Sequence, residues 1–252
     1  MPRMFGSEHV YSYKNYTFGY ALYAQRIGDE SLDPIYAAGF LPYSGEYRTE
    51  AKNLFYMARS ARVKLASFSL SSENRRIKNR FKNKNFNSAE YPASKFIHDE
   101  KMAAFCLKYF NERHGPNVLT KERLIRLLSY SPETFVIEYR GEKDIPCAYI
   151  IEVHGNEFIH YWFCFYDLSL VKQSFGMWLM IDRVEKTKLN GKKYCYLGTV
   201  YGNKALYKTN IPSLEYWNGT EWSSNIKHLS TRARTDEKRE VLQPDEFKDG
   251  KV

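Results

Sequence analysis

The stretch that decides the fold is Phe158-Ile-His-Tyr-Trp-Phe-Cys-Phe-Tyr-Asp-Leu-Ser-Leu-Val-Lys-Gln-Ser-Phe-Gly-Met-Trp178. Its first nine residues are aromatic or β-branched for the most part, which predicts a strand over 158–166. The residues that follow predict a helix over about 168–189, ended by Asn190-Gly191. A strand that leads directly into a long helix indicates a helix packed on a sheet.

The same alternation of elements continues on both sides of this stretch. Upstream, strands are predicted over Thr134–Tyr139 and Cys147–Val153, and Gly155-Asn156 predicts a tight hairpin turn. Downstream, a strand at Tyr194–Leu197, a short helix around 203–208 and a strand at Ile211–Tyr216 are predicted. The order β-β-β-α-β-α-β predicts an α+β fold with a mixed sheet and a central helix, and it resembles the core of GNAT acyltransferases.

We expect three regions along the chain. Residues 1–95 form a smaller N-terminal α/β region with a basic helix, and 96–228 form the GNAT-like core, which opens with helices at about 97–113 and 120–130. Residues 229–252 are charged and poor in large hydrophobic side chains, which predicts a flexible tail.

Composition excludes several classes of protein. Hydrophobic residues make up 43% of the 252, which indicates a globular chain. No run of eighteen apolar residues predicts a membrane span, and the N-terminus has no apolar signal segment. The four cysteines form no C-x-x-C pair, so no metal site is predicted, and a reducing cytoplasm fits them.

The net charge of +9 favours anionic partners. Its sharpest concentration is the run from Arg75 to Lys84, in which six of ten residues are basic. Arg76, Arg80 and Lys84 recur every four residues and line one face of a predicted helix that Ser71 or Ser72 caps. Such a face either is solvated or binds RNA phosphates.

The start of the central helix has part of a coenzyme A pattern. Gln173 and Gly176 match it, because a small residue lets the helix N-terminus approach a pyrophosphate. Trp178 occupies the last small position and argues against coenzyme A. The alternative is a glycine at which another element packs closely.

Other polar residues are less specific. Lys204 and Lys208 are predicted on one face of a short helix after the last core strand, where they bind an anion or are merely exposed. His154 and His160 flank the Gly155-Asn156 turn, and we interpret them as packing residues of the hairpin.

Five elements in this order resemble the arginyl-tRNA–protein transferases and their bacterial leucyl-transferring members, and together they lie within residues 9 to 222. The matching pieces are Gly39-Phe40 with Ser44-Gly45 and Tyr47-Arg48, Ala58–Phe68, Ser72-Glu-Asn-Arg-Arg76, His160–Asp167 with Ser174-Phe-Gly176, and Tyr196-Leu-Gly198 with Lys204, Tyr207 and Lys208.

The resemblance implies a GNAT-like fold that works without coenzyme A or another cofactor. Its donor is aminoacyl-tRNA carrying arginine or leucine, and its acceptor is the α-amine of a protein or peptide, often with an acidic first residue. The reaction is aminolysis of an ester, which needs positioning and stabilisation of an oxyanion more than it needs a nucleophilic side chain.

Two departures from the family pattern bear on this interpretation. The stretches His9–Ser12 and Ala51–Ala58, which match the family's N-terminal cysteine cluster, contain no cysteine, so a metal site there is not expected. Thr199-Val200 replaces an aromatic pair after Tyr-Leu-Gly, near the expected reaction centre. Donor and acceptor identity therefore stay open.

The resemblance implies the following residue roles. Contacts to tRNA phosphates or the acceptor carboxylate are assigned to Arg75, Arg76, Lys78 and Arg80. The donor's 3′ end is assigned to Ser174 and Gly176, with Gly198 beside it, and an anion to Lys204 and Lys208. The catalytic centre is assigned to Tyr161, Asp167, Tyr196 and Tyr207, with Asp167 to bind or deprotonate the amine.

Two other classes of function remain open. One is a coenzyme A-dependent N-acyltransferase, and the other is a non-catalytic module that binds RNA or acidic N-termini. The sequence does not specify the oligomeric state.

Overall fold

The computed structural model describes residues 3–6, 11–12, 17–18, 22–44 and 53–236. The strands are β1 (Arg3–Gly6), β2 (Tyr11–Ser12), β3 (Thr17–Phe18), β4 (Leu22–Gln25), β5 (Phe40–Pro42), β6 (Leu54–Met57), β7 (Ser60–Lys64), β8 (Asn87–Pro92), β9 (Thr134–Arg140), β10 (Pro146–His154), β11 (Phe158–Tyr166), β12 (Tyr194–Thr199), β13 (Leu214–Trp217) and β14 (Trp222–Ser223). The helices are α1 (Asp33–Ala37), α2 (Ser72–Phe81), α3 (Glu100–His114), α4 (Lys121–Leu128), α5 (Phe175–Leu189) and α6 (Ile226–Asp236).

Eight strands form the main sheet, in the order β14-β13-β7-β12-β11-β10-β9-β8. Every neighbouring pair is antiparallel except β11 and β12, which are parallel and joined by α5. A parallel pair needs a crossover of this kind, because the chain must return to the starting edge of the sheet. The predicted α+β class, with a mixed sheet and a central helix, is confirmed.

The N-terminal region is divided between two sheets. A four-stranded sheet, β1-β4-β6-β5, packs with α1 against one face of the main sheet, around Tyr36, Phe55 and Phe158. β7 and β8 belong instead to the main sheet, where β7 lies between β13 and β12 and β8 forms one edge. The predicted boundary at residue 95 therefore does not separate the N-terminal region from the core, since pairing between distant strands is not visible in local sequence.

The C-terminal end of the described chain is a packed helix. Asp236 of α6 accepts hydrogen bonds from both terminal nitrogens of Arg59, at 2.6 and 3.0 Å, and from the backbone N–H of Gly202 at 3.0 Å. Leu229 is fully buried. The predicted flexible tail is thus wrong for 229–236. Local composition marks Asp236 as exposed, but Arg59, 177 residues away in the sequence, neutralises its charge and allows it to be buried. Residues 237–252 lie outside the described part.

A buried ion pair fixes the central helix on the sheet. Arg183 of α5 donates from Nε and Nη2 to the two carboxylate oxygens of Glu152 in β10, at 2.7 and 2.8 Å. Both side chains are no more than 5% exposed. Because two desolvated charges must stay closely paired, this contact sets the position of α5 along the sheet.

Removing one charge of this pair is expected to destabilise the fold strongly. Glu152→Gln leaves Arg183 buried without a counter-charge, which costs about 3–5 kcal/mol in the free energy of unfolding. Denaturant unfolding followed by circular dichroism measures the loss. Glu73→Gln, in the exposed pair with Arg76, is the matched control and is expected to leave the midpoint unchanged. Equal losses in both variants would contradict this account of α5.

Candidate functional site

The main sheet opens between its two parallel strands. β11 and β12 pair over only three residues each, Phe158–His160 with Tyr194–Tyr196. Beyond His160, β11 continues beside β10, whereas β12 continues beside β7. The strands therefore separate at their carboxyl ends, which is where open α/β sheets bind ligands.

Two β-bulges lie at the level of this separation, one in each strand. In β11, Trp162 falls between the pairs Tyr161–Glu152 and Phe163–Ile151. In β12, Leu197 falls between the pairs that Tyr196 and Gly198 make with β7. A bulge adds a residue to one strand, bends it and increases its twist. The two strands bend just past their last shared pair, so the opening is built into the backbone.

The N-terminus of α5 lies at the same edge of the sheet. The predicted single helix over 168–189 is interrupted, because Leu168–Gln173 form a 3₁₀ turn and Ser174 takes a left-handed conformation with φ 65° and ψ 33°. The Ser174 side chain makes no capping hydrogen bond to α5. The N–H groups of the first turn of α5 thus have no partner within the helix, and they favour a negatively charged group.

Gly176 is required by packing within the same turn. A Cβ built there would lie 2.9 Å from the hydroxyl oxygen of Tyr166 and 3.0 Å from carbons of its ring. This contact agrees with the alternative interpretation of Gly176, in which the glycine lets another element, here Tyr166 of β11, pack closely against the helix. Trp178 stacks on Phe175, with ring centroids 5.4 Å apart and planes at 8°.

The basic helix α2 spans the distance between two walls of the opening. Near its start, the Asn74 side chain donates to the Asn210 carbonyl at 3.2 Å. Near its end, Nη1 of Arg80 donates to the Gln173 carbonyl at 2.9 Å and lies 3.5 Å from Oγ of Ser174. Arg80 is therefore the cation of α2 that stands at the N-terminus of α5.

The other basic residues predicted on α2 are engaged elsewhere. Arg75 donates to the Leu70 carbonyl at 2.6 Å, and Arg76 pairs with Glu73 one turn earlier, with both side chains exposed. Lys78 contacts Glu185 on the flank of α5 at 2.5 Å. α2 ends at Phe81, so Lys84 of the predicted basic face lies beyond the helix. Among the basic residues assigned on α2, only Arg80 reaches the opening through a contact within the described residues.

Lys204 and Lys208 do not share a face. Asn203–Asn210 form a 3₁₀ helix, in which three residues make one turn, so positions four apart diverge by about a third of a turn. Lys204 is exposed, whereas Lys208 is half-buried and donates to the Thr199 carbonyl at 2.8 Å. Tyr207 between them is 46% exposed. The prediction of a shared face is wrong because it assumed α-helical periodicity.

The residues predicted as catalytic do not converge on one point. Tyr161 is buried on the α5 face of the sheet, and Tyr196 is buried on the opposite face, where its hydroxyl lies 3.4 Å from Nη1 of Arg62. Asp167 is exposed at the end of β11, where its carboxylate caps the 3₁₀ turn by accepting from the Ser169 N–H at 2.9 Å.

A residue that sequence reasoning set aside lies at the base of the opening. His160, the last residue of β11 paired with β12, is fully buried. Its Nδ1 lies 3.0 Å from the Tyr36 hydroxyl, and its Nε2 has no hydrogen-bond partner among the described residues. Burial, with a smaller contribution from Lys208, lowers the pKa of His160 to about 3. The clue available in the sequence was a polar residue inside an aromatic strand. His154, the other histidine beside the turn, stacks on Phe135 of β9.

The described cysteines are neutral thiols. Burial raises the pKa of Cys147 to about 11 and of Cys164 and Cys195 to about 12, so none provides a thiolate near neutral pH. Over the described residues, no three His, Cys, Asp or Glu side chains cluster to hold a metal ion. No helix in the described part combines the length and apolar character needed to cross a bilayer.

Residues 100–217 match the family model described as arginine-tRNA-protein transferase, C terminus. The chain is 27% identical over 177 residues to an aspartate/glutamate leucyltransferase of Cereibacter sphaeroides, an alignment that covers 65% of this chain and 60% of the relative. The chain therefore spans about three fifths of the length of the curated relatives it matches. The predicted resemblance is confirmed, and the matched segment holds β11, α5 and β12.

Solved structures show more distant likenesses. FemX aligns with a TM-score of 0.47 at 10% identity, over 77% of this chain and 66% of FemX. A GCN5-related glucosamine N-acetyltransferase region in a fungal multi-domain β-N-acetylglucosaminidase aligns with a TM-score of 0.42 at 13% identity, over 63% of this chain and 19% of that chain.

The half-buried lysine at the opening is expected to make stability depend on pH. Burial lowers the pKa of Lys208 to about 8, against about 10.4 in an unfolded chain. Between about pH 8 and 10.4 the unfolded chain keeps a proton that the folded chain has released, so the free energy of unfolding rises with pH. Lys208→Met removes this contribution, and the stability of the wild type relative to the variant should increase over this window.

Denaturant unfolding at roughly pH 7.5, 9 and 10.5 measures that difference. Lys204→Met, at the exposed lysine of the same 3₁₀ helix, is the matched control for the loss of one positive charge. A difference between wild type and Lys208→Met that stays constant across the three pH values would show that Lys208 is not desolvated in the folded chain.

Proposed function

We propose that this chain transfers an amino acid from aminoacyl-tRNA to the N-terminal α-amine of a protein or peptide whose first residue is acidic. The observation that carries the proposal is the opening between β11 and β12, which lies beside the α5 N-terminus, is bordered by Arg80 and Lys208, and falls within the segment that matches the transferase family model. Leucine is the first donor to test because the relative is named a leucyltransferase, with arginine as the alternative.

The chemistry is aminolysis of an ester by an amine. The acceptor α-ammonium has a pKa of about 8, so a sizeable fraction is already neutral near physiological pH. The main tasks of the protein are then to hold amine and ester together and to stabilise the negative charge that develops on the ester carbonyl oxygen. These tasks require no covalent enzyme intermediate and no cofactor.

The anionic tRNA end fits the charges around the opening. Arg80 and the free N–H groups of α5 are proposed to hold phosphate or ribose at the donor's 3′ end, with Ser174 beside them. Lys204, Arg75 and Arg76 are exposed, and they are proposed to contact phosphates further along the tRNA. The assignment of the amine to Asp167 stays a prediction, which Asp167→Asn tests by the loss of transfer.

The protein is mixed with radiolabelled aminoacyl-tRNA and with peptides that begin with Asp, Glu, Arg or Ala. We expect RNase-sensitive transfer of label to the Asp and Glu peptides. Acetyl transfer from acetyl-coenzyme A without any transfer from tRNA would replace the proposal with an N-acyltransferase. RNA binding without transfer of either kind would leave a recognition module.

Arg80 is expected to contribute to tRNA affinity. Arg80→Ala should raise the KM for aminoacyl-tRNA by about tenfold and reduce the slope of log affinity against log salt by about 0.7–0.9, as for one lost phosphate contact. The KM and filter binding at several salt concentrations measure the two effects. Lys143→Ala, on the loop between β9 and β10, is the control for one lost positive charge. Equal changes in both variants would show only an effect of net charge.

A further inference from the structure

A loop of three residues, 200–202, joins the end of β12 to the 3₁₀ helix Asn203–Asn210. This helix carries Lys204 and Lys208. The loop ends at Gly202, whose φ of 67° and ψ of 167° define a conformation that essentially only glycine adopts. The path of this loop therefore decides where the two lysines stand relative to the opening between β11 and β12.

Arg59, the residue before β7, contacts the first two residues of the loop. Its carbonyl accepts from the Val200 N–H at 2.8 Å, and its own N–H donates to the Tyr201 hydroxyl at 3.0 Å. Nη1 of its guanidinium donates to the Val200 carbonyl at 3.3 Å, and the guanidinium carbon lies 4.9 Å from the centre of the Tyr201 ring. One arginine thus binds the loop through both its backbone and its side chain.

Asp236 of α6 reaches the third residue of the loop and the same arginine. Its Oδ2 accepts from Nη1 of Arg59 at 2.6 Å and from the Gly202 N–H at 3.0 Å, while its Oδ1 accepts from Nη2 of Arg59 at 3.0 Å. Asp236 is 3% exposed and Arg59 is 6% exposed. Because a buried charge and a buried N–H group are costly without partners, the loop and α6 are held in one arrangement.

α6 holds the 3₁₀ helix at a second place. The two helices are in contact, and Leu229 of α6 and Ala205 of the 3₁₀ helix are buried in the same hydrophobic cluster. Arg59 and α6 both lie outside residues 100–217, the segment that matches the family model, whereas the loop lies inside it. Residues from outside the matched segment therefore fix the position of one wall of the opening.

We propose that Asp236 is a positioning residue for tRNA binding, which holds the 200–202 loop and thereby keeps the 3₁₀ helix and its lysines at the opening. The inference rests on the proposed function, in which Lys204 contacts tRNA phosphates, and it adds α6 to the parts of the chain that transfer requires. Asp236 acts through the loop and not by contact with a substrate.

A positioning role and a purely structural role have different kinetic effects. If Asp236 only stabilised the fold, its loss would lower the fraction of folded molecules, and those molecules would still bind tRNA normally. The apparent kcat would then fall at an unchanged KM. A displaced loop instead weakens the binding of aminoacyl-tRNA by molecules that are folded, so it raises the KM.

Two double variants separate the contact to the loop from the ion pair. Arg59→Met with Asp236→Asn removes both charges but keeps a side-chain oxygen for the Gly202 N–H. Arg59→Met with Asp236→Leu removes the same charges together with that oxygen, and leucine is similar in shape to asparagine. Neither double variant leaves an unpaired buried charge, so both are expected to fold.

The first experiment needs no transfer reaction. The full chain is labelled with carbonyl-¹³C tyrosine and ¹⁵N-glycine, which together mark the single Tyr-Gly peptide bond of the sequence, Tyr201-Gly202. NMR then measures hydrogen exchange at the Gly202 N–H. We expect exchange to be about tenfold faster in the Asp236→Leu double variant than in the Asp236→Asn double variant. Equal exchange in the two would show that the side-chain oxygen at position 236 does not hold the loop.

The second experiment measures filter binding of aminoacyl-tRNA and steady-state transfer with the same variants. We expect the Kd and the KM for aminoacyl-tRNA to be about tenfold higher in the Asp236→Leu double variant than in the Asp236→Asn double variant. Leu124→Ala in α4, within a different hydrophobic cluster, is the control for lost stability. It should lower the unfolding midpoint and leave the KM unchanged. Circular dichroism confirms that each variant is folded.

The outcomes separate this inference from the proposed function. Equal Kd and KM values in the two double variants, or a KM that rises equally in Leu124→Ala, would overturn the positioning role while transfer by the wild type stands. A wild-type protein that binds aminoacyl-tRNA but transfers nothing would refute the proposed function. A difference in Kd between the double variants would then still support the positioning role of Asp236.

Discussion

The structure depends on the early separation of β11 from β12. Two parallel strands that stayed paired along their full length would close the sheet, and α5 would pack over a continuous surface. Here the bulges at Trp162 and Leu197 bend the strands apart after three paired residues. The carboxyl ends of the strands, the first turn of α5 and the left-handed Gly198 consequently surround one opening.

The cations that hold helices in place and the cations beside the opening have different kinds of partner in this protein. Arg183 and Arg59 bond to carboxylates in two-point contacts that hold α5 and α6 in place. Arg80 and Lys208, at the opening, bond to backbone carbonyls within the described chain. A carbonyl orients a cation but leaves its charge uncompensated. Arg80 and Lys208 therefore keep positive charge available to a ligand where the sheet is open, while Arg183 and Arg59 stabilise the scaffold.

The sequence predicted the elements of the site better than their geometry. The aromatic strand, the helix after it, the close packing at Gly176 and the basic run of α2 all follow from local pattern. Two predictions failed for a shared reason. The predicted common face of Lys204 and Lys208 assumed an α-helix, but the segment forms a 3₁₀ helix. The predicted tail from residue 229 assumed that Asp236 is exposed, but Asp236 is buried. Helix type and burial both depend on contacts made elsewhere in the chain.

Local pattern by itself determined the order of strands and helices, the excess of positive charge and the likeness to a transferase family, because periodicity, charge and short motifs are properties of neighbouring residues. Tertiary structure decided that Arg80 and Lys208 bond to backbone carbonyls and not to carboxylates. It also decided which histidine has a ring nitrogen with no hydrogen-bond partner among the described residues. His160 meets Tyr36 from 124 positions away. Those relationships exist only once the two sheets have packed together, since the partners share no segment of sequence.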